Sequence, residues 1–271
     1  MRRGRPLAQV AALGLALMVV ISGCGADEQE SAVADVPGLQ CRGDGRPTVV
    51  FLSGLGVTSG PTWANVEPAV SRITRTCLHD RPGTGGLSPA PPPRDSSAMV
   101  GELRVALREA GEQGPFVLVG ASLGGLNAQL FAARHPQDVA GLVFVDAIHP
   151  DFDRRFAEVM GPEAARARAR SLGRNSEGVR FRDLQASDRQ VKAAGQLPAV
   201  PTVALVHGRS FDPRGDPVPE LESAWRALAR ELARSGGTVR VVPGTSHRIA
   251  EDDPAAVIQA VREVLRQTGP D

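Results

Sequence analysis

The run Phe116-Val117-Leu118-Val119-Gly120-Ala121-Ser122-Leu123-Gly124-Gly125 decides how this chain folds. Four bulky apolar residues read as a buried strand, and a helix-period pattern over 123–134 follows at once. The intervening G-x-S-x-G leaves room only for a sharp strand-to-helix turn, in which a side chain larger than hydrogen at Gly120 or Gly124 would strike neighbouring backbone. Such a turn pushes Ser122 out beyond the carboxyl end of its strand, with a helix N-terminus beneath it.

The same alternation runs outward in both directions. Short β-rich apolar runs predict strands over 48–52, 74–78, 115–119, 140–145, 202–206 and 238–242. Between them, helix patterns cover 61–72, 96–110, 123–134, 219–235 and 254–267. The last has Asp253 as N-cap, Pro254 at the first helical position and an apolar stripe through Val257, Val261 and Val264. Alternating strands and helices predict an α/β fold: a mostly parallel central sheet with helices on both faces. Residues 149–200 interrupt the alternation and read as a short helical cap inserted between two strands. Arg154, Arg155, Arg166, Arg168, Arg170, Arg174, Arg180 and Arg182 in this insertion read as a solvated helix surface paired with local acids.

Composition narrows the function classes. The chain has 271 residues, 42% of them apolar, so it can bury a real core, and 31 Lys+Arg against 30 Asp+Glu leave a formal charge of +1. A nucleic-acid partner would ask for a clustered basic excess and is not expected. With three Cys and five scattered His no metal-ligand spacing is present, so neither a metal nor another cofactor is expected.

The odd cysteine count points to the N-terminus. Arg2, Arg3 and Arg5 precede an uncharged apolar run over 7–21 that ends in small residues. That is the layout of a signal peptide over 1–23, and the run is shorter than a membrane span of about 20 residues. Ile21-Ser22-Gly23-Cys24 resembles the lipobox of bacterial lipoproteins, which implies lipidation of Cys24 and a protein held on the extracytoplasmic face of the cell membrane. Removing the leader takes three Arg with it and shifts the charge from +1 to −2. Residues 24–46 then form the anchor and a polar tether, and 47–271 the folded domain. Cys41 and Cys77 remain, each close to an expected strand of one sheet, and export permits a disulfide between them.

Open parallel sheets place ligands beyond the carboxyl ends of their strands, so the search for chemistry belongs there. A serine hydroxyl becomes a nucleophile when a base lies in hydrogen-bond reach and an acid orients that base. His135 reads as a surface residue, His79 as structural, His207 as a packed or solvated imidazole, and His149 as bordering the pocket. His247, in the loop after the last strand and just before the last helix, is the best-placed base. Two locations stand open for the acid. Asp146 ends the strand next to that of Ser122; Asp212 and Asp216 follow a later strand but sit in a turn-forming stretch with Pro213 and Gly215, so Asp146 is preferred. Oxyanion donors are expected from the backbone N–H of Leu123 and, in the loop Ser53-Gly54-Leu55-Gly56, of Leu55.

Together these residues resemble the α/β-hydrolase superfamily over about residues 47–268. The likeness rests on Ser53-Gly54-Leu55-Gly56, on Asp80-Arg81-Pro82-Gly83-Thr84-Gly85 (similar to the family's D-R-x-G-x-G), on the nucleophile elbow around Ser122, on Val145-Asp146-Ala147-Ile148-His149-Pro150 and on the His247 loop. It implies Ser122 as nucleophile, His247 as base and a cap between the sixth and seventh strands of the fold. Three departures stand out: Ser53 where relatives commonly carry His, no close Gly-x-x-Asp after Gly208, and His79 where Tyr is usual. The expected activity is that of an esterase- or lipase-like serine hydrolase (EC 3.1) acting on a small-molecule acyl substrate. Haloperoxidase-like or amide-cleaving chemistry would use the same triad. A tethered, non-catalytic binding protein on a hydrolase scaffold is the alternative from another class; a dehalogenase would need a carboxylate nucleophile.

Overall fold

The computed structural model describes residues 36–209, 218–234 and 236–269. The expected signal peptide, Cys24 and the acid candidates Asp212 and Asp216 lie outside the described residues.

Among the described residues, seven strands form one sheet: β1 (Leu39–Arg42), β2 (Val49–Leu52), β3 (Thr76–His79), β4 (Phe116–Ala121), β5 (Val139–Val145), β6 (Thr202–His207) and β7 (Thr238–Val242). Their spatial order is β1-β3-β2-β4-β5-β6-β7. Pairing is parallel throughout except at the β1 edge, which runs antiparallel to β3. The helices are α1 (Ser59–Trp63), α2 (Glu67–Val70), α3 (Ser96–Glu109), α4 (Leu123–Arg134), α5 (Phe152–Leu172), α6 (Phe181–Ala194), α7 (Pro219–Leu232), α8 (Ile249–Asp252) and α9 (Pro254–Gln267).

The strands alternate between two buried faces, which is why they read as continuous apolar runs. Val50, Leu52, Leu118, Leu142 and Phe144 share one core with Met99, Leu103 and Leu107 of α3 and Leu126 and Leu130 of α4. Val49, Phe51, Val117, Val119, Val143 and Val145 form the other with Trp63, Val70, Ile249, Val257, Val261 and Val264. The N-cap Asp253 accepts from Ala256 N at 3.0 Å, and α4 and α9 keep the limits that their sequence patterns predict.

Two expectations need correction. Strand β1 lies within the stretch assigned to the tether, so ordered sheet begins by Leu39 rather than at residue 47. The single helix expected over 61–72 is two short ones; Pro68, lacking an N–H, sits in the first turn of the second. The Cys41–Cys77 disulfide links β1 to β3 at directly paired positions.

The insertion follows β5. Its α5 is kinked at Gly161, just before Pro162, and α6 packs against α4 and α3. Some of its arginines pair locally: Arg154 with Glu158 at 2.6 Å and Arg168 with Asp153 at 3.0 Å, the latter guanidinium lying over the Phe152 and Phe156 rings.

Candidate active site

At the end of β4 the chain turns into α4 through Ser122, whose φ of 50° and ψ of −117° lie outside the regions open to most L-residues. A Cβ at Gly120 would come within 2.6 Å of Gly125 Cα, and one at Gly124 within 2.1 Å of the Leu52 carbonyl oxygen. Bare backbone at both places is what lets the turn pack between β2 and α4. Among the described residues, the other non-glycine with positive φ is Asp146, at 47°. Both strained residues stand at the carboxyl ends of adjacent strands, a concentration that marks functional sites. Ser122 N donates to Val145 O at 3.3 Å and Ile148 N to Ser122 O at 3.0 Å, so backbone bonds tie the serine to the two sides of Asp146.

Asp146 is the electrostatic centre. Its carboxylate is 1% exposed yet accepts four kinds of hydrogen bond. His247 Nδ1 donates to Oδ2 at 2.6 Å, Trp225 Nε1 to Oδ1 at 2.8 Å, His207 N to Oδ1 at 3.1 Å, and His207 Nδ1 lies 2.9 and 2.8 Å from the two oxygens. Burial alone would raise its pKa; the hydrogen bonds and charges of His207 and His247 outweigh that and hold it at about 2. Asp146 is therefore ionised at neutral pH, and the proton of the short contact sits on His247 Nδ1.

The loop carrying His247 is itself braced. Ser246 donates from both its backbone N and its Oγ to Asp252 Oδ2, at 2.6 Å each, and Thr245 O accepts from Gly208 N and Arg209 N. The His247 side chain is 39% exposed and meets the Trp225 ring edge-on, with centroids 6.1 Å apart. With Nδ1 engaged by Asp146, the ring's Nε2 is the nitrogen with proton-accepting capacity.

His207, expected to be merely packed or solvated, is a member of this cluster. Its imidazole is buried, with Nδ1 on Asp146 and Nε2 3.0 Å from Glu222 Oε2. Burial lowers its basicity, but the Asp146 hydrogen bond and charge, with Glu222 behind them, raise its pKa above the ordinary 6.5. With a carboxylate at each nitrogen, the imidazolium form is favoured. Trp225 and Glu222, which sequence reasoning missed, come from α7 and reach Asp146 and His207 across the sheet end. The one available signal was that His207 ends β6, the strand paired with that of Asp146.

The loop after β2 lies against the serine. A Cβ at Gly54 would be 3.4 Å from Ser122 Cβ and 3.9 Å from its Oγ. Ser53, standing where His was the family's usual residue, is buried and held by Trp63 Nε1 and Ser59 Oγ, both at 3.0 Å. Arg81 donates to Ser53 O at 2.8 Å and to Gly54 O at 2.6 Å. Leu123 opens α4, where backbone N–H groups point outward and the helix dipole favours negative charge. His79 is buried between strands; burial first, then Arg81, drives its pKa down to about 3, so it is neutral. His149 follows Ile148, whose N–H donates to Ser122 O. It lines a cavity of about 430 Å³ with Gln129, Lys192 and Glu231. Ligand atoms of His149, Asp151 and Glu231 come within 4.8 Å of one another, but Lys192 already pairs with Asp151 at 2.9 Å and Arg234 with Glu231 at 3.4 Å.

Comparison with known proteins agrees with this architecture. A family model for the alpha/beta hydrolase fold matches residues 47–241. A pimeloyl-[acyl-carrier protein] methyl ester esterase of Chromobacterium violaceum is 34% identical over 227 residues, covering 78% of this chain and 84% of that protein. An uncharacterized protein of Schizosaccharomyces pombe is 42% identical over 83 residues; the match takes in 31% of this chain but spans only 16% of the yeast protein's length. The solved monoacylglycerol lipase of Paleococcus ferrophilus superposes with a TM-score of 0.58 over 85% of this chain and 97% of that one, at 17% identity, a likeness of fold.

Proposed function

This chain belongs to the alpha/beta hydrolase fold family, and from that premise we propose that it is a serine hydrolase cleaving carboxylic ester, thioester or related acyl bonds through an acyl-enzyme. The observation that carries the proposal is the 2.6 Å hydrogen bond from His247 Nδ1 to a buried, ionised Asp146, beside a serine held in a strained turn. A scaffold used only for binding has no physical need to bury a carboxylate under four donors and to aim a partly exposed imidazole from it.

In this reading Ser122 is the nucleophile of a nucleophile elbow, His247 the base and Asp146 the acid. Ser122 Oγ attacks the acyl carbon while its proton passes to His247 Nε2. The carbonyl oxygen takes up the negative charge and is held by the N–H groups of Leu55 and Leu123. As the tetrahedral intermediate collapses, the alkoxide or thiolate leaves with the proton from His247. Water then attacks the acyl-Ser122 ester by the same route in reverse, releasing the acid and restoring the serine. Asp146 stays ionised throughout and stabilises the imidazolium. The ester activity named for the Chromobacterium violaceum relative favours an oxygen ester as the bond cleaved.

The reading extends to location: Cys24 is lipidated after the leader is removed, and the enzyme works tethered on the extracytoplasmic face of the membrane. Replacing Cys24 with Ala then moves the protein from the membrane fraction to the soluble one; an unchanged distribution rules the tether out. For the chemistry, stopped-flow mixing with p-nitrophenyl esters from acetate to laurate is expected to give a burst of nitrophenol equal to the enzyme concentration for acyl chains that fit. Absence of both burst and turnover across the series overturns the proposal.

A further inference from the structure

The loop joining α5 to α6, part of the cap insertion, reaches down to the loop that follows β2. Its Glu177 side chain is fully buried and clasps the buried Arg81 with two bonds, Nε to Oε2 at 2.7 Å and Nη2 to Oε1 at 2.8 Å. Glu177 Oε1 also accepts from Gly56 N at 2.6 Å. Two further N–H groups of Arg81 donate to the carbonyls of Ser53 and Gly54. One ion pair thus pins both ends of Ser53-Gly54-Leu55-Gly56, with half of the pair supplied by the cap.

The peptide geometry gives this grip a direction. In a trans peptide the C=O and the following N–H point to opposite sides. Holding Gly54 O toward Arg81 turns Leu55 N–H away from Arg81, on a loop whose Gly54 lies against Ser122. Gly56 N–H, bound to Glu177, fixes the next turn of the loop. The cap side is equally built. Asn175 Nδ2 donates to Leu172 O at 2.7 Å and Val179 O at 2.8 Å, and its Oδ1 accepts from Val179 N at 3.1 Å. Gly83 seats this loop directly: a Cβ there would come within 2.5 Å of Ser176 O and 2.6 Å of Glu177 Cα. Two charges buried together carry a desolvation penalty, and an apolar pair of similar volume would fill the same space. What an apolar pair could not do is hold three backbone groups of the oxyanion loop, and that is what the ions do here.

We infer that Glu177 is a positioning residue for the oxyanion hole, acting through Arg81 and Gly56, so that the cap must be seated for the Leu55 donor to be in place. The inference rests on the reading of Ser122 as nucleophile and Leu55 as oxyanion donor, and the test separates the two. Wild type, Glu177→Gln and the double variant Arg81→Met/Glu177→Leu are compared by thermal melting, by kcat and KM for p-nitrophenyl butyrate, and by inhibition with a trifluoromethyl ketone that forms a tetrahedral oxyanion on serine.

Displacing one oxyanion donor lowers kcat by about 10- to 100-fold with KM changed less than about threefold, and weakens the ketone in proportion to kcat. In folded Glu177→Gln, kcat and ketone affinity fall together while KM and the melting temperature change little, a split that a purely structural role cannot produce. Either folded variant with kcat and ketone affinity within about threefold of wild type overturns the inference; if the double variant does not fold, the isosteric Glu177→Gln decides. Should wild type itself resist a fluorophosphonate at Ser122, the underlying reading has failed; a labelled wild type with fully active variants refutes only the role of Glu177.

Discussion

Replacing Asp146 with Asn tests the acid limb of the site with a change of one atom. Oδ1 faces Trp225 Nε1, His207 N and His207 Nδ1, whereas Oδ2 faces His207 Nδ1 and His247 Nδ1. The amide oxygen of the new side chain belongs where donors are most numerous, in the Oδ1 position. Its NH2 then stands where Oδ2 was, 2.6 Å from His247 Nδ1. Two N–H groups cannot face each other at that distance, so His247 adopts the tautomer with a bare Nδ1 and a protonated Nε2. That nitrogen can no longer take the Ser122 proton. A wrong tautomer of this kind costs about 10³- to 10⁴-fold in kcat, or about 4–5 kcal/mol of transition-state stabilisation. The fold loses less. Asp146 sits at about 2 against an ordinary 3.8, so its charge contributes about 2 kcal/mol at neutral pH, or roughly 4–8 °C in Tm for a domain of this size. The assay is kcat for p-nitrophenyl acetate beside a thermal melt, with Asp212→Asn as the companion variant, expected within about threefold of wild type. An Asp146→Asn protein that retains more than about a tenth of wild-type kcat, or a larger loss at position 212, refutes the assignment.

Two further expectations concern stability. Because the folded pKa of Asp146 is depressed, its contribution is complete above the unfolded value and disappears as pH falls through the folded one. Wild type should lose about 2 kcal/mol more than Asp146→Asn between pH 4 and pH 2 in urea titrations, and parallel curves for the two proteins would contradict this. The Cys41–Cys77 disulfide closes a loop of sequence separation 36, for which chain entropy gives about 4 kcal/mol; Cys41→Ser/Cys77→Ser should lower stability by that order, and an unchanged urea midpoint would show that the β1 edge is not limiting.

The fold was legible where hydrophobic period and turn chemistry agree. Strands buried on both faces gave continuous apolar runs, and α9 announced itself through Asp253, Pro254 and its stripe. The edge strand β1 hid because Leu39-Gln40-Cys41-Arg42 has only two inward positions, too few for a period to register. Pro68 hid the break between α1 and α2 inside an amphipathic pattern. At the site, Ser122, Asp146 and His247 follow strand ends, so topology alone brought them into one search. His207 is packed, as expected, but its place beside Asp146 was not legible, since its neighbours Glu222 and Trp225 come from α7, the helix that crosses from β6 to β7. Glu177 lies 96 residues from Arg81, in an insertion rich in charged residues, several of which pair on the surface. Nothing in its local sequence separates it from those neighbours; only burial does.

The central claim is that Ser122 is a nucleophile activated by His247 and Asp146. Incubating the folded protein with a fluorophosphonate and locating the adduct by peptide mass spectrometry tests it most directly. One adduct per chain is expected, on Ser122, with none on the Ser122→Ala variant and slow labelling of Asp146→Asn. A folded wild type that takes up no label, or takes it up equally with Ala at position 122, would contradict it.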